Sequence, residues 1–213
     1  MPGAMDPYGN QAMDTDRPLS DYWTGWSATD WNGIKIVNAA WRDWVVPVQP
    51  DLLQRLRDGK CGVPDIEYTT ALSFRSGYFD PDNNRIVVGI KGWDGKEGDI
   101  TGMAADVLTH ELVHAVDWCE NNTGKPKTCE FHACAEIRAS SYAQCAGEPD
   151  FKHCVERDAT LSVSIGNYCN VMKKDGTKDS AATFRRAQNT VKALLDKCIL
   201  DDGCKTLPNF PDL

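Results

Sequence analysis

The stretch "DVLTHELVHAVDWC", Asp106–Cys119, decides the fold because it combines a helical pattern with two histidines one turn apart. At about 100° per residue, His110, His114 and Asp117 fall on one narrow stripe, with Glu111 on its flank. The opposite side of the helix is apolar, with Leu108, Leu112, Ala115 and Val116. The segment therefore predicts a helix that packs its back on a core and presents imidazoles and carboxylates at its front.

This front has the chemistry of a zinc site. Two imidazoles at this spacing can bind one zinc ion, and the glutamate between them can take a proton from water. The chain has 4 histidines, so ordinary residue frequencies give this His-Glu-x-x-His pattern a chance on the order of one per cent. A solvated helix face is the alternative. We predict a zincin-like metalloprotease domain with one Zn2+ per chain, His110 and His114 as ligands and Glu111 as catalytic base.

Catalytic zinc takes three protein ligands and keeps one position open. His132, Glu136, Asp117 and His153 are the candidates for the third position. We favour Glu136 because it lies within the next predicted helix, and because small residues share its face and would let the two helices approach. Asp117 is better placed to orient a ligand, and His132 remains a rival to Glu136.

Two further parts of a peptidase site are predicted less specifically. An oxyanion-stabilising donor could be Tyr142, His153 or Arg138, and the sequence does not choose among them. A substrate would lie extended along an exposed strand edge, for which we expect "NRIVVGI", Asn84–Ile90, whose backbone groups can pair with any sequence.

Length and charge bound the organisation of the chain. Its 213 residues, 41% hydrophobic and 25% charged, suit one core, so we predict a single domain over residues 21–213. Residues 1–20 are polar, lack the features of a signal peptide, and are expected to be disordered, with "GAMDP" as a possible cloning remnant. The net charge of −8 argues against a nucleic-acid partner.

Nine cysteines are many for a reduced enzyme of this size. Because no C-x-x-C pair is present, disulfides are a better interpretation than a four-cysteine zinc knot. Buried reduced cysteines are the alternative. The cysteine count thus indicates an oxidising compartment, although no leader sequence points to one.

The remaining pattern predicts an α+β fold, in which a small N-terminal sheet precedes the His-Glu-x-x-His helix and further helices follow. "QPDLLQRLRDGKCG" reads as a short helix from Pro50 to Gly59. "DIEYTTALSF" and "NRIVVGI" read as strands, joined as a hairpin or paired as neighbours around the turn "DPDNN". Later helices are predicted in "TCEFHACAEIRASSYAQCAG", bounded by Gly147, in "CVERDATLSVSIGNYC" and in "SAATFRRAQNTVKALLDKC".

Residues 21–48 hold five of the seven tryptophans, at a spacing that fits no single helical stripe. These rings are expected mainly to cover the domain core, with a membrane-surface or partner-docking patch as the alternative. They are Trp23, Trp26, Trp31, Trp41 and Trp44.

"THELVHAVDWC", "HACAEIRASSYAQC" and "CVERDATLSV", in this order, resemble the mitochondrial metallopeptidase family that processes the precursor of ATP synthase subunit a. The resemblance covers roughly residues 50–204, and some relatives are described as Ku-binding proteins. It implies that His110 and His114 bind zinc, that Glu111 is the catalytic base, and that Glu136 is the third ligand. It also implies polypeptide substrates from mitochondrial inner-membrane precursors and a role in ATP synthase assembly.

The resemblance also implies a compartment. Family members are cysteine-rich, lie in the mitochondrial intermembrane space peripheral to the inner membrane, and are retained there by disulfide formation. Five cysteines fall near expected family positions, whereas Cys169 and Cys204 look additional, Pro64–Gly89 lacks expected cysteines, and the tryptophan-rich region has no counterpart. The five are Cys119, Cys134, Cys145, Cys154 and Cys198.

Two other functions stay open at this point. A folded, metal-bearing domain could hold membrane-protein segments as an assembly or chaperone factor without cutting them. A secreted disulfide-rich metalloprotease is the third possibility, because "NNT", Asn121–Thr123, is a glycosylation acceptor sequence.

Overall fold

The computed structural model describes residues 28–73, 76–91, 100–121, 128–166 and 168–199. The chain divides into two compact units, Met1–Leu108 and Thr109–Leu213, and the boundary falls inside its longest helix. The predicted single domain over residues 21–213 stays a prediction, and the segment predicted to be disordered, residues 1–20, lies outside the described residues.

The α+β prediction is confirmed, with a small sheet among mostly helical elements. None of the helices in the described ranges is long and apolar enough to span a membrane. The elements are α1 (Ala28–Ala40), a π-helical turn (Trp41–Val45), α2 (Val46–Val48), α3 (Pro50–Asp58), β1 (Asp65–Ser73), β2 (Gly77–Asp80), β3 (Arg85–Lys91), α4 (Ile100–Asn121), α5 (Cys129–Tyr142), α6 (Phe151–Ile165) and α7 (Ser180–Cys198).

The sheet of the first unit has the order β1-β3-β2. β1 runs parallel to β3, with Asp65 opposite Arg85, while β2 runs antiparallel to β3 and forms a hairpin with it. The Asp80 carboxylate supports the hairpin turn, because it accepts hydrogen bonds from the Asn83 amide at 2.8 Å and the Asp82 backbone N–H at 3.2 Å. The turn was predicted, but the strand that precedes it, β2, was not.

This topology corrects the predicted substrate edge. Within the described sheet, β3 is the central strand, since β1 pairs with one side of it and β2 with the other. Its backbone groups therefore bond to those neighbours and are not available to an incoming peptide. The apolar run of "NRIVVGI" reflects this central position, because the strand is buried from Ile86 to Ile90.

The tryptophan-rich segment is helical where the structure describes it, and this was not predicted. α1 buries one residue every three positions, from Ile34 through Val37 to Ala40, but the next buried side chain is Val45. The π-helical turn contains one extra residue per turn, which breaks the regular stripe.

The tryptophan rings do not form this core. Trp44 is 47% exposed, and Trp31 and Trp41 are partly buried. The expectation that the rings cover the core is not met by Trp44, but it stays a prediction for Trp31 and Trp41, whose partial burial is compatible with it; smaller aliphatic side chains occupy the fully buried positions. Trp23 and Trp26 lie outside the described residues.

α1 packs closely on the sheet at a glycine. A Cβ atom added to Gly33 would lie 3.0 Å from the Cβ of Ile90 on β3, so a larger residue at this position would push against Ile90. The Tyr68 hydroxyl on β1 also donates a hydrogen bond to the Asn38 side chain on α1 at 2.5 Å. Burial raises the pKa of Tyr68 to about 12, although that hydrogen bond acts to lower it.

The short helix predicted from Pro50 to Gly59 is confirmed as α3. It begins at Pro50, whose missing N–H is not needed in a first turn, and its cap residue is Gly59. Its inward residues, Leu52, Leu53 and Leu56, are all buried.

In the second unit, α5, α6 and α7 each pack against the other two. Their shared core contains small and branched apolar residues and six cysteines that form three disulfides. Cys129 pairs with Cys169, Cys134 with Cys198, and Cys145 with Cys154. Cys61 and Cys119 are disulfide-bonded as well. The disulfide prediction is thus confirmed, and Cys169, which looked additional, has its partner at the start of α5.

The predicted helices after α4 are present with small differences at their ends. α7 spans the predicted Ser180–Cys198, and its N-cap Asp179 accepts a hydrogen bond from the Ala182 N–H. α5 ends at Tyr142, earlier than the predicted Gly147, because a turn through residues 143–147 follows it. Gly147 has a φ of +82° and serves that turn.

Candidate metal centre

Three predicted side chains meet between α4 and α5. The Nε2 atom of His110 lies 3.2 Å from Oε2 of Glu136, and Nε2 of His114 lies 3.5 Å from Oε1 of the same carboxylate. One donor atom from each residue falls within 4.8 Å of the other two. The structure thus brings together His110 and His114 from α4 and Glu136 from α5.

This arrangement fits a tetrahedral zinc ion. Ligand atoms about 2.1 Å from zinc lie about 3.4 Å from one another along the edges of a tetrahedron. The two nitrogen-to-oxygen distances, 3.2 Å to Oε2 and 3.5 Å to Oε1 of Glu136, are close to that value, and one donor atom from each residue lies within 4.8 Å of the others. Two imidazoles and a carboxylate are also the donor types of catalytic zinc sites with an open fourth position. The residues present therefore fit the metal that the sequence predicts.

The charges at this site are strongly coupled. Burial acts to lower the pKa of His114, but the charge of Glu136, the hydrogen bond to it, and the charges of Glu111 and Asp117 together outweigh burial and raise the pKa to about 9. At His110, burial again acts to lower the pKa, but the hydrogen bond that the ring donates to the Glu136 carboxylate and the charges of Glu136 and Glu111 raise it above its usual value. Burial acts to raise the pKa of Glu136, yet the two histidines hold it far below its usual value. The carboxylate therefore stays ionised and ready to bind a cation.

Glu111 lies between the two histidines in the sequence and is buried on α4. Its charge contributes to the raised pKa of both His110 and His114, which shows that its carboxylate lies near the two imidazole rings. A carboxylate at this position can accept a proton from a water molecule held at the site.

A buried ion pair holds α4 and α5 together next to the site. The Arg138 guanidinium on α5 donates to the Asp117 carboxylate on α4, and both side chains are almost completely buried. Arg138 follows Glu136 by two residues and Asp117 follows His114 by three. The pair therefore fixes how the helix that carries Glu136 lies against the helix that carries the histidines.

Disulfides hold the other side of α5. Cys134, two residues before Glu136, is bonded to Cys198 at the end of α7, and Cys129 in the first turn is bonded to Cys169. The Thr128 hydroxyl caps the helix by accepting a hydrogen bond from the Phe131 N–H at 3.3 Å. α5 is thus constrained at its start and middle.

The other candidates for the third zinc ligand and for the oxyanion donor do not lie in the cluster formed by His110, His114 and Glu136. The ring of His132 stacks on Tyr168 with centroids 3.4 Å apart, and it is not in the cluster of donor atoms. Asp117 pairs with Arg138. Arg138 is fully buried, so its guanidinium does not face solvent as an oxyanion donor would. His153 is exposed on α6, and Tyr142 is partly buried at the end of α5.

Sequence reasoning missed one side chain at the site. Nδ1 of His110 lies 3.1 Å from Oε1 of Gln144, in the turn that follows α5. A histidine that binds metal through Nε2 carries its proton on Nδ1, so this N–H can donate to the Gln144 oxygen. No motif marks Gln144, because the contact depends on where the chain turns after α5 ends.

Three proteins with similar sequences are mitochondrial inner membrane proteases. The mitochondrial inner membrane protease atp23 of Aspergillus niger is 29% identical over 140 residues, which cover 60% of this chain and 52% of that protein. The protein of the same name from Aspergillus fumigatus is 27% identical over 179 residues, 75% of this chain and 68% of the relative. The one from Meyerozyma guilliermondii is 32% identical over 109 residues, 45% and 40%.

The chain thus spans about half of the length of the first of these relatives, and no solved structure is significantly similar to it. The sequence pattern of the Peptidase M76 family, in contrast, matches residues 46–202, which is most of the chain and includes every residue of the candidate site. The chain therefore belongs to the Peptidase M76 family.

Proposed function

We propose that this protein is a zinc-dependent endopeptidase, with one zinc ion per chain held by His110, His114 and Glu136. The observation that carries the proposal is the approach of both histidine Nε2 atoms to one ionised carboxylate, at 3.2 and 3.5 Å. Membership of a peptidase family supports the same conclusion.

The residues of the site have different roles in the proposed reaction. A bound zinc ion supplies Lewis-acid activation of a water molecule and of the scissile carbonyl. Glu111 accepts the proton of the attacking water and passes it to the amine that leaves, so no proton is lost to solvent. Gln144 holds the Nδ1 proton of His110 and thereby keeps Nε2 turned toward Glu136.

We propose that the substrates are polypeptides of the mitochondrial inner membrane or intermembrane space, including the precursor of ATP synthase subunit a. The relatives named as mitochondrial inner membrane proteases support this location. The three disulfides of the second unit support an oxidising compartment such as the intermembrane space. In this proposal the enzyme takes part in ATP synthase assembly.

The metal site is tested by measuring the metal content of purified, oxidised protein by mass spectrometry. We expect one zinc in the wild type, loss of that zinc in Glu136→Ala, and retention in His132→Ala, because His132 stacks on Tyr168 away from the donor atoms. A well-folded wild-type protein that binds no metal would contradict the proposal.

Glu111→Gln separates proteolysis from a purely assembly role. The substitution keeps size and shape but removes the proton acceptor, so cleavage should fall by about 10²- to 10⁴-fold while zinc content stays the same. Undiminished cleavage would rule out Glu111 as the base. Full rescue of ATP synthase assembly in cells by the inactive variant would favour the assembly factor.

A further inference from the structure

The side chain that meets Nδ1 of His110 belongs to a turn at the surface. Gln144 is exposed, whereas the residues on either side of it, Ala143 and Cys145, are buried. Its Oε1 atom lies 3.1 Å from Nδ1 of His110. An exposed side chain samples several rotamers, and fixing one of them costs conformational entropy. The contact with His110 therefore depends on how firmly the backbone of this turn is held.

Two kinds of bond hold the turn. Within it, the Cys145 N–H donates to the Ser140 carbonyl at 3.0 Å, and the Ala146 N–H donates to the Ala143 carbonyl at 2.9 Å. These hydrogen bonds join near neighbours in the chain, so they set the shape of the turn but not its position against other helices. The disulfide between Cys145 and Cys154 ties the turn to the start of α6.

Helix α6 gives this disulfide a rigid support. It packs against both α5 and α7, and Val155, next to Cys154, is fully buried. The Cys145 side chain is fully buried as well. Because Cys145 directly follows Gln144, its bond to the packed helix sets where the backbone of Gln144 lies. The connection thus runs from α6 through the disulfide and Gln144 to His110.

We propose that the Cys145–Cys154 disulfide positions Gln144 and thereby makes tight zinc binding depend on the oxidation of this pair. With the bond formed, Gln144 orients the His110 ring through Nδ1, and Nε2 stays turned toward Glu136. With the two sulfurs as thiols, the turn loses its attachment to α6, and His110 loses that support. This regulation rests on the proposed zinc site, because it acts through one of its ligands.

The oxidation needs a partner that accepts electrons. Each thiol gives up one proton and one electron when the S–S bond forms, and a disulfide oxidant such as oxidised glutathione takes up two of each and becomes two thiols. Cys154 is the better placed sulfur to begin this exchange. It is 8% exposed and lies 3.9 Å from the Arg157 guanidinium, whose charge favours a thiolate. The Cys145 sulfur is buried, and it lies 3.9 Å from the Asp158 carboxylate, whose charge disfavours one.

The first test measures zinc affinity by competition with a chelator. We expect Cys145→Ala/Cys154→Ala to weaken zinc binding about 10- to 100-fold, the effect of losing a group that orients a metal-bound histidine. Adding Gln144→Ala to this variant should weaken binding no further, because both changes remove the same support. The bond spans 9 residues, so its loss costs less stability than that of a longer loop. Cys145→Ser/Cys154→Ser, a second variant without the bond, should give the same zinc affinity.

The matched control removes a different disulfide of the same helices. In Cys129→Ala/Cys169→Ala the turn stays attached to α6, so Gln144→Ala should keep its full effect on zinc affinity in that background. The inference would be overturned if zinc affinity were the same with and without the Cys145–Cys154 bond. It would also be overturned if Gln144→Ala kept its full effect after that bond is removed.

A second measurement, on metal-free protein, separates this inference from the zinc proposal. The Nδ1–H proton of His110, observed by NMR in isotope-labelled protein, should exchange slowly with water in the wild type. The exchange should be faster in Gln144→Ala and in Cys145→Ala/Cys154→Ala. Unchanged exchange without the disulfide would overturn the inference and leave the zinc proposal standing. Wild-type protein that binds no zinc would overturn both.

Discussion

The buried ion pair between Asp117 and Arg138 leads to a quantitative prediction about what holds the candidate metal centre in place. Their side chains are 3% and 0% exposed, so removing one charge leaves the other buried without its partner. Breaking such a pair typically costs about 3–5 kcal/mol. We therefore expect Asp117→Asn to lower the free energy of unfolding by about that amount.

The chain offers a matched control on its surface. Lys152 and Asp196 form an ion pair at 2.6 Å, but their side chains are 67% and 80% exposed. Water and salt screen such a pair, and its contribution is below about 1 kcal/mol. Asp196→Asn should therefore change stability little.

The double variant Asp117→Leu/Arg138→Met tests whether the unpaired buried charge causes the loss of stability in Asp117→Asn. Replacing both charges with apolar side chains removes the uncompensated charge, and such replacements of buried pairs are often neutral or stabilising. We expect the double variant to recover most of the stability that Asp117→Asn loses. The assay is urea unfolding of metal-free protein with its disulfides intact, followed by circular dichroism.

Zinc affinity gives a second measurement on the same variants, by competition with a chelator. If the pair positions α5 against α4, Asp117→Asn should weaken zinc binding while Asp196→Asn should not. The reasoning would be refuted if Asp117→Asn cost no more stability than Asp196→Asn, or if the double variant were as unstable as the single one.

Three further outcomes are expected. Gln144→Ala should weaken zinc binding about 10- to 100-fold with little change in melting temperature. Gln144→Glu should restore zinc binding, because a carboxylate also accepts a hydrogen bond from the Nδ1 proton of His110. Equal zinc affinity in the wild type and both variants would exclude a positioning role for Gln144. Replacing Cys134 and Cys198 together with alanine should cost about 4 kcal/mol in urea unfolding, since their bond spans 64 residues; a loss below about 1 kcal/mol would contradict this. Gly33→Ala should lower the melting temperature despite a gain of about 1 kcal/mol in helix propensity, because its Cβ would lie 3.0 Å from Ile90; a rise in melting temperature would show that the contact can relax.

The sequence predicted those features that depend on neighbours within a few residues. The helices α3 and α7 follow from apolar spacing and from Pro50, Gly59 and Asp179 at their ends. The alternation of faces on α4 depends only on 3.6 residues per turn, so its apolar back was predicted and is buried. The same local geometry puts His110 and His114 on one side.

Local patterns were insufficient where the chain departs from a regular period. The π-helical turn after α1 shifts the buried stripe by one residue, so residues 28–48 did not read as a helix. β2 has only four residues, Gly77–Asp80, too few to show an alternation. The place of β3 at the centre of the sheet depends on which strands pair with it, and nothing in "NRIVVGI" encodes that order.

The candidate site also has some features that the local sequence predicts and others that depend on the tertiary structure. Residue types and spacing by themselves determined that two imidazoles and a glutamate share one helix, and that a carboxylate on the next helix was available to join them. Only the tertiary structure decided that Glu136 lies within 3.5 Å of both histidines, that Asp117 pairs with Arg138, and that Gln144 meets His110. These contacts join residues 21 to 34 positions apart, and their distances depend on how α5 packs against α4, which is a property of the folded chain and not of either segment alone.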